Sequence, residues 1–226
     1  AGGCTTPAML APDPDTDYFA DGLTEEVIAD LSNVRALRVI ARNSAMRLKG
    51  TDKDVRAIGR ELNVSHVLAG SVRRAGSQLR ITAQLASAAD DRQVWAGKFS
   101  GTIEDVFDLQ ERLSRQIVAA LQLSLTPTEH AALEGRLVSD PRAYDLLLRA
   151  RQDLYTTTKP SVDRAIRLLR EALEFEGDSV RLLSTLAVAY SWYTLLGWET
   201  PFDPMERVSQ LVERMLRRGQ QREHAD

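Results

Sequence analysis

Histidine, serine and paired carboxylates supply the bases, nucleophiles and metal ligands of most protein chemistry, and this sequence offers few of them in usable arrangements. His66, His130 and His224 stand 64 and 94 residues apart, so no pair shares a helix face in the manner of a zinc protease. Ser71 and Ser77 could act as nucleophiles with a histidine, the chemistry of a serine hydrolase. Neither Ala69-Gly70-Ser71 nor Ala75-Gly76-Ser77 completes a Gly-x-Ser-x-Gly elbow, and both serines fit strand or turn positions. The pairs Asp21 with Glu25 and Glu104 with Asp105 could do acid and base work, but both fall at helix starts, where carboxylates stabilise the dipole. Cys4 is the only cysteine, which excludes an intramolecular disulfide and a thiolate zinc cluster. With no phosphate-cradling glycine loop either, the expectation is a chain without enzyme activity, with no catalytic residue, cofactor or metal.

Two signals for binding remain. Arg73-Arg74 with Arg80 reads as an anion-binding face or as the solvated side of a sheet. Asp54 to Ser65 has the spacing of the first helix and turn of a helix-turn-helix, which would make His66 to Arg74 a DNA-recognition helix. Gly70 would then lie inside that helix, at about 1 kcal/mol relative to alanine. The DNA-reader is therefore an alternative, and the net charge of -3 supplies no global field for nucleic acid.

The elements that must position these residues follow from periodicity. With 226 residues, 43% hydrophobic and 27% charged, the chain is long and apolar enough for two folded domains. Residues 1–16 read as a flexible lead-in, rich in Gly, Thr, Pro and Ala. Ala1-Gly2-Gly3-Cys4 faintly resembles the end of a lipoprotein cleavage site, without the apolar stretch that would precede it in this sequence. Leu23, Val27, Ile28 and Leu31 predict a helix, residues 37–41 a short strand, and Val55, Ile58 and Leu62 a second helix with Asp52 or Asp54 at its start. Strands are expected at 66–74, 79–87 and 93–99. Leu79, Ile81, Ala83 and Leu85 alternate with Arg80, Thr82 and Gln84, and the short polar connections make the three an antiparallel meander. Val106 to Leu121 carries a long amphipathic helix. After a linker at 126–140, helices are expected at about 141–155, 161–175, 179–196 and 204–218, with Gly219 stopping the last and 219–226 as a polar tail. Leu182 to Trp198 is uncharged over 17 residues but contains Ser184, Thr185, Ser191 and Thr194, so it reads as a buried helix rather than a membrane span. The fold class is α+β: a mixed sheet with an antiparallel meander and covering helices, followed by an all-α domain of helical hairpins.

Several strings in order resemble one family. Tyr18-Phe19-Ala20-Asp21-Gly22-Leu23-Thr24-Glu25-Glu26, Leu37 to Ser44, Val67 to Arg74, Arg80 to Leu85 and Val94-Trp95 resemble the TolB amino-terminal-like domain over residues 17–125. That domain occurs beside tetratricopeptide repeats in bacterial adenylate cyclases, serine/threonine kinases and winged-helix regulators. The family's buried first strand has no clear counterpart in Ala1 to Ala11, which leaves an exposed sheet edge as the expectation. Residues 141–218 resemble two tetratricopeptide repeats, with Ala165, Leu169, Ala172, Leu183, Leu186, Ala187 and Tyr190 at repeat positions. Gly177 and Met215 depart from the pattern. The resemblance implies a non-catalytic, cytoplasmic module that contacts proteins or transmits a signal in a bacterial regulatory protein, with the periplasm as the alternative compartment. The inner repeat face then assigns partner-binding to Tyr144, Arg151, Arg181 and Trp192. The partner is a protein or peptide, with no nucleic acid and no membrane span. A second copy of the chain is the other candidate, because Val208, Leu211, Val212, Met215 and Leu216 make the last helix apolar on more than a narrow stripe.

Overall fold

The structure, a computed structural model, describes residues 4–9, 14–134 and 138–223. The chain divides into two compact units, residues 1–135 and 136–226.

The first unit is built on a five-stranded mixed sheet. Strands β1 (Cys4–Met9), β2 (Arg38–Val39), β3 (His66–Ala75), β4 (Gln78–Ser87) and β5 (Gln93–Thr102) lie in the order β2-β1-β3-β4-β5. β1 is parallel to both of its neighbours, while β3, β4 and β5 form the antiparallel meander that the alternation predicts. The lead-in therefore contains a central strand, and the sheet has no edge where the first strand was expected to be absent. Pro7 hides β1 in the sequence, because proline removes a ladder donor and argues against a central strand. At the β3–β4 turn, Ala75 pairs with Gln78 around Gly76-Ser77, and Gly76 takes φ +61° at the first loop position, as such two-residue hairpins require.

Helix α1 (Pro14–Ser32) is longer than the expected 23–31, with proline in its first turn and Phe19, Leu23, Val27 and Leu31 fully buried on one face. It packs on β1, β3 and α4 (Val106–Ala120), whose Leu109, Leu113 and Ile117 complete that layer over Val72, Ile81, Leu85 and Phe99. The opposite face is covered at one end by α3 (Val55–Leu62). Asp54 rather than Asp52 caps it, accepting from the Ala57 amide at 2.6 Å, and Ile58 joins Leu48, Val64 and Val67 in a second small core. α2 (Arg42–Met46) is a short helix that was not predicted; it follows β2, which is two residues long rather than five. α5 (Pro127–Glu134) lies in the expected linker, where Thr126-Pro127-Thr128-Glu129 offers either an end to the preceding helix or the cap of a short new one. Glu129 holds α5 in place. Its carboxylate accepts from the Thr126 amide and hydroxyl and from the Arg35 amide, which together hold its pKa down at about 2.

The second unit is all α: α6 (Pro141–Thr156), α7 (Lys159–Glu176), α8 (Val180–Leu195) and α9 (Pro204–Glu223), each packed on the next. Buried alanines at 143, 150, 165, 172 and 189 let the helices approach closely. α9 runs through Gly219 instead of stopping there, since one helical glycine costs only about 1 kcal/mol. Its Met205, Val212 and Leu216 are exposed. Among the described residues no helix is long and apolar enough to cross a membrane.

Candidate functional site

β3 covers His66–Ala75, so the segment that a helix-turn-helix needs as its recognition helix is an extended strand paired along its whole length with β4. The DNA-reader alternative is overturned. Its glycine is the reason a helix there is poor, and the alternation of β4 supplies the ladder partner. The hydrolase alternative gains no geometry. Ser71 Oγ is hydrogen-bonded to Thr82 Oγ1 at 2.7 Å, and His66 lies an odd number of residues away on the same strand, hence on the other face. His66 instead bonds Ser65 Oγ at 3.0 Å, with its pKa lowered by burial. Ser77 sits in the hairpin turn, where its carbonyl accepts from the Ile103 amide. The carboxylate pairs are structural. Asp21 pairs with Lys49, Glu25 with Arg42, and Asp105 forms a capping box with Thr102. Among the described residues no cluster of His, Cys, Asp or Glu could hold a metal ion.

The partner-binding residues assigned from the sequence lie in the second unit. α6 and α8 line a cavity of about 300 Å³ with Arg151, Leu154 and Tyr155 on one side and Arg181, Val188 and Trp192 on the other, Ser184 and Thr185 completing it. Residues 181, 185, 188 and 192 recur at i, i+4, i+7 and i+11, which places them in one stripe along α8. The hydroxyls of Ser184 and Thr185 donate to the Arg181 carbonyl at 3.1 and 2.8 Å, so the charged groups in the lining are the two guanidinium groups. Trp192 is half-buried, and Tyr155 and Val188 are exposed large apolar side chains. Three of the residues assigned from the sequence, Arg151, Arg181 and Trp192, therefore line one cavity. Tyr144 does not. It is 3% exposed and belongs to the core of α6 with Leu147 and Leu148. Leu154, Tyr155, Ser184, Thr185 and Val188 were not assigned, although they are the i+3, i+4 and i+7 neighbours of the arginines that were.

The end of α6 is fixed by a compact set of contacts. Asp140 caps it by accepting from the Arg142 and Ala143 amides, while Glu176 at the end of α7 accepts from the Ser139 and Asp140 amides at 2.9 and 2.7 Å. The Arg142 guanidinium pairs with Asp140 and lies 4.2 Å from the Phe175 ring centroid. The Arg142 guanidinium, followed by the amide hydrogen bonds, holds the Asp140 carboxyl down at about 2. A pKa depressed on folding gives stability that is complete above the ordinary aspartate value of 3.8 and is lost as pH falls towards 2. Asp140→Asn should therefore lower the melting temperature most near neutral pH, where the ionised carboxylate contributes, and least near pH 2, so that the acid limb of a thermal-melt profile is flattened. An unchanged acid limb would remove Asp140 from the account.

No family model matches the chain. Residues of the chain are 41% identical over 179 positions to "Putative adenylate cyclase 3" of Rhizobium meliloti (strain 1021), which is 79% of this chain and 30% of that protein. The chain spans under a third of its relative. Among solved structures, TolB from Acinetobacter baumannii matches at a TM-score of 0.41 and 10% identity, covering 54% of this chain and 28% of TolB. The LpoB C-terminal domain from Salmonella enterica matches at 0.36 and 17%, covering 45% of this chain and 84% of that domain. Lipoprotein GNA1162 from Neisseria meningitidis matches at 0.37 and 17%, covering 54% and 97% respectively. Likeness at that level leaves the fold to be judged on its own sheet order and register.

Proposed function

We propose that the chain is a non-catalytic interaction module of a bacterial regulatory protein, in which a TolB-like α/β unit is followed by tetratricopeptide-like hairpins. The observation that carries this reading is the α6–α8 cavity, where two arginines flank an apolar wall of Tyr155, Val188 and Trp192. Such a lining receives a peptide with an apolar side chain beside a carboxylate, since guanidinium groups pair with carboxylates in a bidentate geometry. The similarity to a cyclase-named protein supports a regulatory setting, with this chain as the part that receives a signal or a partner. No nucleophile with its base, phosphate loop or metal cluster contributes to the reading, and the cytoplasm is the compartment we assign to it.

The test is quantitative capture. The partner retained from the source cell by the wild-type chain should be lost, by about tenfold or more, when Arg151→Glu and Arg181→Glu are combined. The melting temperature should stay within a few degrees of wild type. A large drop in melting temperature would instead assign the arginines to packing, and undiminished capture by a folded variant would overturn the site.

A further inference from the structure

The sheet face turned away from α1 and α4 has a distinct chemistry. α3 covers only its Val67 end. Beyond that, a trough of about 500 Å³ opens across β3, β4 and β5, floored by Ala69, Ser71, Thr82 and Ala96, with the exposed Gln84 standing between the two alanines at the end nearer α3. The Ser71 and Thr82 hydroxyls bond each other at 2.7 Å, so the polar atoms of the floor satisfy one another sideways. At the far end of the trough stand Arg73, Arg80 and Lys98. Register places Arg73 directly opposite Arg80, and Lys98 opposite Thr82, the next same-face residue along β4 from Arg80. All three cations are exposed, and none makes an ion pair among the described residues. β3, β4 and β5 contain no acidic residue at all. Like charges directly opposite one another destabilise an antiparallel pair, so the unit carries a local cost here that an anionic ligand would relieve.

We propose that this face docks an acidic helix of a protein partner, laid over the small-residue floor in the layer that α3 begins, with its carboxylates against Arg73, Arg80 and Lys98. Charge complementarity selects an anionic occupant, and the low floor lets a helix backbone approach the strands. Sheets in α/β units are covered by helices on both faces, and here one face is covered only at its end. Single-stranded nucleic acid would need aromatic side chains to stack on. Trp95 and Phe99 of β5 lie on the other face, opposite Leu85 and Ile81. A lipid surface would need bulky apolar groups that this floor lacks.

The surface is separate from the α6–α8 cavity, so its test uses the full chain already carrying Arg151→Glu and Arg181→Glu. The probe is a fluorescein-labelled alanine-rich helical peptide with glutamates at i, i+4 and i+7, titrated by anisotropy. Its lysine counterpart, oligo-dT and phosphatidylserine vesicles form the other arms. The glutamate peptide should bind, more weakly as salt rises, and Arg80→Glu with Lys98→Glu should reduce affinity at least about tenfold. The same pair of changes should hold or raise the melting temperature, because a glutamate opposite Arg73 replaces a like-charge pair. Ala96→Phe, which fills the trough from an exposed position, should also abolish binding. If the charge variant does not fold, Ala96→Phe decides. Absent binding, binding unchanged in the variants, equal binding of the lysine peptide, or tighter binding of oligo-dT or vesicles would each overturn the proposal.

Discussion

Replacing Gly70 by valine should destabilise the α/β unit by about 3 kcal/mol or more, a large fraction of the stability of a domain this size. Gly70 lies mid-strand in β3, opposite Ala83, and its φ is not in the left-handed region. The obstacle to a side chain is steric. A Cβ built there comes 2.4 Å from the Thr82 carbonyl oxygen and 3.4 Å from the Ala83 Cα. Those are backbone atoms of the adjacent strand and cannot rotate away, so the β3–β4 ladder must part where Leu68, Val72, Ile81 and Leu85 form the core. Gly76→Ala is the contrasting control. Nothing lies within 4 Å of its Cβ, but φ is +61°, so its cost is the left-handed penalty of about 1 kcal/mol. Hydrogen exchange over residues 66–102 separates the two outcomes. Wild-type protection in the Gly70→Val chain would show that the β3–β4 ladder takes in the side chain without parting, and would overturn the prediction.

How far the sequence announces this architecture depends on whether a signal is local. β4 is legible because one face is buried and the other wet, so Leu79, Ile81, Ala83 and Leu85 alternate with polar residues. β1 is not, because Cys4-Thr5-Thr6-Pro7-Ala8-Met9 has neither alternation nor an apolar run, and its place is set by the two strands that flank it. The first half of α1 escaped for a similar reason: Tyr18 and Phe19 belong to the same buried face as Leu23, but Pro14 and Gly22 read as punctuation. In the cavity, Arg151, Arg181 and Trp192 follow from the resemblance to repeats, which puts them on an inner face, whereas the burial of Tyr144, assigned the same way, depends on what packs over α6. The cationic sheet face lies between these cases. Arg73 and Arg80 are visible as residue types, yet only the register of the β3–β4 hairpin turns two separate residues into an opposed pair.

Tyr193→Ala should be among the most damaging changes in the helical unit, at about 3 to 5 kcal/mol, and should also weaken the cavity through α8. Tyr193 is 3% exposed and holds together three parts of the chain. Its ring packs edge-on against Trp198 and Phe202, with centroids 5.6 and 5.4 Å away, which fixes the turn between α8 and α9. Its hydroxyl donates to Asp163 of α7, and Lys159 lies 5.4 Å from its ring centroid while pairing with Asp163 at 3.6 Å. Tyr190, one turn earlier, also meets Phe202 edge-on, and its hydroxyl accepts from Arg170 at 2.6 Å. Truncation at 193 therefore removes the ring between a helix end and its following turn, whereas Tyr193→Phe removes only the hydroxyl. The phenylalanine change should cost less, about 1.5 to 3 kcal/mol, because Asp163 keeps Lys159 as a partner. Because Trp192 is the adjacent residue, loosening the last turns of α8 should move the indole that closes the cavity. Tyr193→Ala is therefore expected to reduce partner affinity even below its melting temperature, with Tyr193→Phe close to wild type in affinity. Urea titrations of the two variants, read by far-ultraviolet circular dichroism, give the stabilities. Equal losses in both would place the whole effect on the hydroxyl and leave the aromatic cluster without a structural role.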